Sequence, residues 1–229
     1  MKSSSLALLA AVVISLPSLA NASMIVQLVD PFGNDSGWDA ILTDNIYTGI
    51  VIDEVTNTGV EIEITKTLYE APREGRFPSN VITFQQRLPD ANAVATICIK
   101  DEIIINLTGY DWTDYHWQIN GTDAAFNRTA TVNSGFDTTP FVDQIWGVAQ
   151  TGWDAEHPAM FEVETGLVPN GGLFYPGVAG GNLYIDVDLS GRQASFQLEQ
   201  YPTPEPGALA TIILGGAAML ARRSRKRIQ

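Results

Sequence analysis

The chain has 229 residues, with 26 acidic against 13 basic and a net charge of −13. That length sets a prior of one domain or at most two, and so acidic a surface repels nucleic acid and anionic headgroups while tolerating cations, neutral sugars or basic partners. The single cysteine, Cys98 between Ile97 and Ile99, closes no internal bridge, so the fold must stand on its core and Cys98 is expected to be a small buried apolar side chain.

Residues 1–22 carry Lys2, an apolar run over 6–16 and the close Ala20-Asn21-Ala22. A charged start, a short apolar stretch and an A-x-A site make a signal peptide cut after Ala22. The run is too short for a comfortable membrane span. Residues 23–201 then form the ectodomain. Lys2 and five tail residues account for six of the 13 basic groups, and Glu205 is the one acid outside it. The ectodomain keeps seven cations against 25 carboxylates, a net −18.

The ectodomain reads as β throughout. Residues 24–29 are a first strand, and 31–37 are a loop of turn-forming Gly, Asn, Asp and Ser. Residues 46–55 are β-branched and give a second strand. Residues 60–65 alternate strictly, Val60, Ile62 and Ile64 against Glu61 and Glu63, which predicts one buried and one wet face. Thr58-Gly59 between those strands predicts a tight hairpin. Residues 72–80 are an exposed loop, 81–88 a strand, and Pro89-Asp90 a turn. Residues 95–100 and 102–107 read as two short strands around Lys100-Asp101. Residues 125–132 offer another strand. Loops follow at Gly171-Gly172 and 177–181. The chain closes on alternating strands carrying Leu183, Ile185, Val187 and Leu189, then Phe196 and Leu198. Many short strands, with no long 3.6-residue period, predict an all-β fold, a single β-sandwich of jelly-roll or immunoglobulin-like layout.

Pro202, Pro204 and Pro206 fix an extended linker that cannot enter a sheet. An uncharged segment follows over 208–221. At 1.5 Å per residue its helix would be about 21 Å long, short of a hydrocarbon core of roughly 30 Å. Residues 222–227 then bring Arg222, Arg223, Arg225, Lys226 and Arg227, which the positive-inside rule keeps cytoplasmic. This order of parts over 202–229, Pro204-Glu205-Pro206, apolar helix and basic end, resembles the PEP-CTERM sorting signal of exported bacterial proteins. The resemblance implies a substrate of an exosortase-type membrane protease, recognised at Pro204, Glu205 and Pro206. It implies transient anchoring in the inner membrane, then delivery to the cell surface or extracellular matrix in association with exopolysaccharide. Signal peptidase is the other implied partner, and no nucleic acid or cofactor is implied. The resemblance carries no activity for residues 23–201.

Within the ectodomain the most distinctive stretch is 106–117. Trp112, Tyr115 and Trp117, with Asp111, Asp114 and His116, have two readings. They could build a carbohydrate-binding platform, because aromatic faces stack on apolar sugar faces while carboxylates take hydroxyls. They could instead be a strand entering the core, Tyr115 and Trp117 on one face and His116 on the other. The core reading is preferred, although Thr108-Gly109 and Trp112-Thr113-Asp114-Tyr115-His116 are similar to a segment of other PEP-CTERM ectodomains. Only His116 and His157 are available as imidazoles, and no G-x-S-x-G, H-E-x-x-H or C-x-x-C occurs. A two-carboxylate glycoside hydrolase is the less favoured alternative. No calcium loop surrounds Asp111 and Asp114 or Asp186 and Asp188, so no metal is expected. The N-x-S/T triplets at Asn34, Asn106, Asn120 and Asn127 are expected to be turn chemistry. The leading expectation is a non-catalytic exported protein.

Overall fold

The computed structural model describes residues 23–43, 47–73, 76–87, 93–190 and 193–203. The expected signal segment with Ala20 and Ala22, the motif Pro204-Glu205-Pro206, the apolar run 208–221 and the basic cluster lie outside the described residues. Among those described, no helix is long and apolar enough to cross a membrane.

Alternation decides the strands. In chain order they are β1 (Met24–Val29), β2 (Asp35–Leu42), β3 (Tyr47–Val55), β4 (Gly59–Leu68), β5 (Asn80–Gln86), β6 (Thr96–Asn106), β7 (Tyr115–Asn120) and β8 (Ala124–Phe126). One helix, α1 (Arg128–Ser134), precedes β9 (Asp143–Trp146), β10 (Met160–Glu164), β11 (Leu173–Phe174), β12 (Leu183–Val187) and β13 (Ser195–Tyr201). In β4 every second residue from Val60 to Leu68 is buried, as period-two side chains on a half-wet strand require. The same phase carries Lys66 inside.

The fold is all-β and two-sheeted. One sheet runs β1-β2-β5-β13-β7-β10-β9, and the other β3-β4-β6-β12-β8 with β11 also on β6. The described pairings are antiparallel except β4 with β6, which run parallel. After β4 the chain shuttles between sheets, and β13, latest in sequence, pairs with both β5 and β7. One apolar core collects residues from both sheets. Trp117 of β7 stacks on Phe161 at 5.1 Å, and Tyr115 meets Phe174 of the opposite sheet edge-on at 5.4 Å. Cys98 is buried as expected, and burial, then the Glu61 charge, push its thiol up to about 12, leaving it unreactive.

Three expectations are corrected. The loop expected over 31–37 ends earlier, because β2 starts at Asp35 and carries Trp38 into the core, its Nε1 donating to the Val94 carbonyl at 2.9 Å. The strand expected over 125–132 is two elements: β8 stops at Phe126 and α1 begins. Asn127 caps that helix by accepting from the Ala130 N–H at 2.8 Å, and Gly135 closes it in the left-handed region at φ 75°. The two strands expected around Lys100-Asp101 are one strand with a bulge. Ile62 faces Ile99 and Glu63 faces Asp101, so Lys100 is the extra residue. The bulge shifts the phase, and the inward positions become Ile97, Ile99, Glu102, Ile104 and Asn106.

Candidate functional site

β7 presents two different chemistries on its two faces. Tyr115, Trp117 and Ile119 point inward, and His116 lies on the opposite face. Register fixes the neighbours of His116: Glu162 of β10 stands opposite on one side and Tyr201 of β13 on the other. The imidazole stacks on the Tyr201 ring at 4.7 Å, with 16° between planes. Its Nε2 is 3.5 Å from Asp114 Oδ1 and its Nδ1 is 3.6 Å from Glu162 Oε2. Neither contact has hydrogen-bond geometry, although the residue is only 8% exposed.

Asp114 has a second task. It accepts from the Thr203 N–H at 2.7 Å and from the Thr203 hydroxyl, so it fixes the chain just after β13. Burial alone would raise its pKa, but the contacts from His116 and Thr203 take it below the ordinary carboxylate value. Glu162 goes the other way. Burial raises it, and nearby Glu164 and Asp114 add to that against the pull of His116. Beside these groups lies a cleft of about 650 Å³, lined among others by Arg76, Phe77, Gln118, Glu199 and Pro202. Among the described residues, Asp114, His116 and Glu162 are the grouping that could hold a metal ion, offering one nitrogen and two oxygens within 4.8 Å of one another. The sequence singled out Asp114 and His116 but not Glu162, which reaches them only through strand pairing.

The inward face is more unusual. Lys66 of β4, Glu102 of β6 and Gln200 of β13 meet between the sheets, each 0% exposed. Lys66 Nζ lies 3.2 Å from Glu102 Oε2 and also contacts Gln200 Oε1. Gln200 Nε2 donates to Glu102 Oε1 at 3.1 Å. Tyr115 donates to Gln200 Oε1 at 3.2 Å, and Trp117 Nε1 sits 3.4 Å from Glu102 Oε2. Burial, opposed by Glu102, pulls the Lys66 pKa below its ordinary value, and burial with the Glu102 charge raises Tyr115 well above its own.

This arrangement corrects the stacking platform. Trp112, Tyr115 and Trp117 are all 0% exposed. Trp112 Nε1 is held by Thr108 at 3.2 Å, and the three rings pack on one another and on Phe77 and Phe174. A sugar cannot stack on them while the domain is folded. Of the expected turn residues, Asn106 is buried and donates to the carbonyls of Tyr110, Val168 and Pro169, while accepting from Thr108.

A third group lies elsewhere. His157 Nδ1 is 2.6 Å from Asp154 Oδ1 and its Nε2 is 3.3 Å from Asp186 Oδ2. Asp186 also accepts from Thr96 and Asn127. Trp153 leans on the imidazole at 5.1 Å. No family model, curated protein or solved structure matches this chain.

Proposed function

We propose that this is a non-catalytic exported protein of the cell surface or extracellular matrix, sorted by an exosortase-type protease and linked to exopolysaccharide. The observation that carries the reading is the order Pro204-Glu205-Pro206, uncharged 208–221, then Arg222, Arg223, Arg225, Lys226 and Arg227. An N-terminal signal peptide ending at Ala22 supports it. β13 ends at Tyr201, and Asp114 pins Thr203, so the described fold is held up to the residue before Pro204. Within the two-sheeted fold, the finer class that accompanies this reading is a jelly-roll or immunoglobulin-like sandwich, followed by a short C-terminal membrane helix.

The test is the intact mass of the mature protein recovered from outside the producing cells. The expected mass begins after Ala22 and ends near Pro204, with any excess reporting glycosylation. A recovered chain still extending to Gln229 would mean a permanent anchor, and the sorting reading would fall with it.

A further inference from the structure

We propose that Lys66 and Gln200 become joined by an intramolecular amide bond, a covalent cross-link between the two sheets that the folded protein forms by itself. The inference is independent of the sorting route. It starts from a cost: an ion pair taken fully out of water is seldom a net gain, because desolvation offsets the attraction. Here the pair is at the centre of the core, and the surrounding groups do more than neutralise it. They place a nucleophile, an acyl donor, a proton carrier and an oxyanion donor in contact.

Glu102 is the organiser. Its Oε2 lies 3.2 Å from Lys66 Nζ, the attacking nitrogen, and its Oε1 lies 3.1 Å from Gln200 Nε2, the leaving nitrogen. One carboxyl group therefore spans both nitrogens, as a bifunctional acid–base requires. Lys66 Nζ already contacts Oε1 of the carboxamide whose carbon it would attack, so the reactants need no diffusive encounter. Tyr115 aims its hydroxyl at Gln200 Oε1, 3.2 Å away, where negative charge would develop. Burial keeps that hydroxyl protonated and favours the neutral amine of Lys66. The indole N–H of Trp117 holds the carboxyl group in place.

The chemistry balances without another reactant. Lys66 passes one proton to the Glu102 carboxylate and becomes a neutral amine. Its lone pair adds to the Gln200 Cδ, and the carbonyl pair moves onto Oε1 under the Tyr115 hydroxyl. Glu102 delivers its proton to Nε2 and takes one from Nζ. The Cδ–Nε2 bond breaks, and ammonia leaves. Ammonia then accepts the last proton from Glu102 and departs as ammonium, which regenerates the carboxylate. The product ties β4 to β13 across residues 134 apart in sequence.

The test is a protease digest of the full-length protein, denatured after recovery and read by fragmentation mass spectrometry. Processing at either end changes the intact mass, so the deciding species is the peptide. The expected result is a branched peptide containing both Lys66 and Gln200, lighter by one ammonia than its two parts. Separate, unmodified Lys66 and Gln200 peptides alone would overturn the proposal. A branch from Lys66 to Glu102, lighter by one water, would overturn the choice of acceptor. The variant Glu102→Gln keeps the shape and removes the proton carrier, so it is expected to give only separate peptides. Cross-linking that persists in it would overturn the role of Glu102. Should that variant fail to fold, the wild-type digest decides alone.

Discussion

His157 holds two carboxylates at once, Asp154 through Nδ1 and Asp186 through Nε2. Burial disfavours its charged form, but the hydrogen bonds and charges of both carboxylates outweigh this and raise its pKa above the ordinary 6.5. A raised folded value means that the imidazolium stabilises the fold fully below the unfolded value. That contribution is lost as pH climbs through the raised one. The melting temperature of the wild type is therefore expected to fall more steeply than that of His157→Gln as pH rises above the ordinary histidine value of about 6.5. Parallel profiles for the two proteins would mean that this clip contributes nothing. The same single-residue view explains the aromatic stretch. In a strand, neighbours face opposite ways, so Trp117 and His116 share a sequence context and nothing else. Composition marked both as chemically loaded; alternation put them on opposite faces, and the pairing of β7 with β10 and β13 brought Glu162 and Tyr201 beside His116.

At the scale of elements, the bulge in β6 is the device on which the buried polar group depends. Without an extra residue, strict alternation from Ile99 would send Asp101, Ile103 and Ile105 inward in place of Glu102, Ile104 and Asn106. The bulge rests on the loop before β12. The Glu102 N–H donates to the Pro176 carbonyl, and Gly177, at φ +83°, lies so close that a β-carbon there would collide with the Lys100 carbonyl. Gly177→Ala is accordingly expected to cost about 1–3 kcal/mol from the backbone conformation alone, with the collision added. Denaturant unfolding checks this, and an unchanged midpoint would show that the loop yields freely. The legible part of the fold follows from the same periodicity. β4, β12 and β13 were readable because their alternation is unbroken; Lys66 and Gln200, which continue the phase of Ile64 and Leu198, lie beyond the stretches that the sequence marked. β6 was not, because one inserted residue breaks the period. β2 was hidden by Asp35, Ser36 and Gly37, turn formers that here begin a strand. α1 was hidden by Thr129, Thr131 and Val132, whose branching favours strands. Its local signals, Asn127 before and Gly135 after, were present in the sequence. Glu162 beside His116, and Glu102 beside Lys66, depend on which strands pair, and no local pattern encodes that.

For the molecule as a whole, β13 matters more than its length suggests. It is the middle strand of its sheet, with β5-β2-β1 on one side and β7-β10-β9 on the other. It also brings Phe196, Leu198 and Gln200 into the core. A chain stopped after Leu189 lacks the joint between the two halves. It is expected to lose cooperative unfolding altogether, which calorimetry would detect as the absence of a transition. A surviving sharp transition would show that the halves fold separately. This placement has a bearing on timing. A chain made from its N-terminus presents its strands one at a time, and a sheet closes only when its central strand has arrived. Here the sheet stays in two unconnected halves until residues 195–201 emerge. The order of strands thus works as a delay, holding back completion of the domain until its last strand is available.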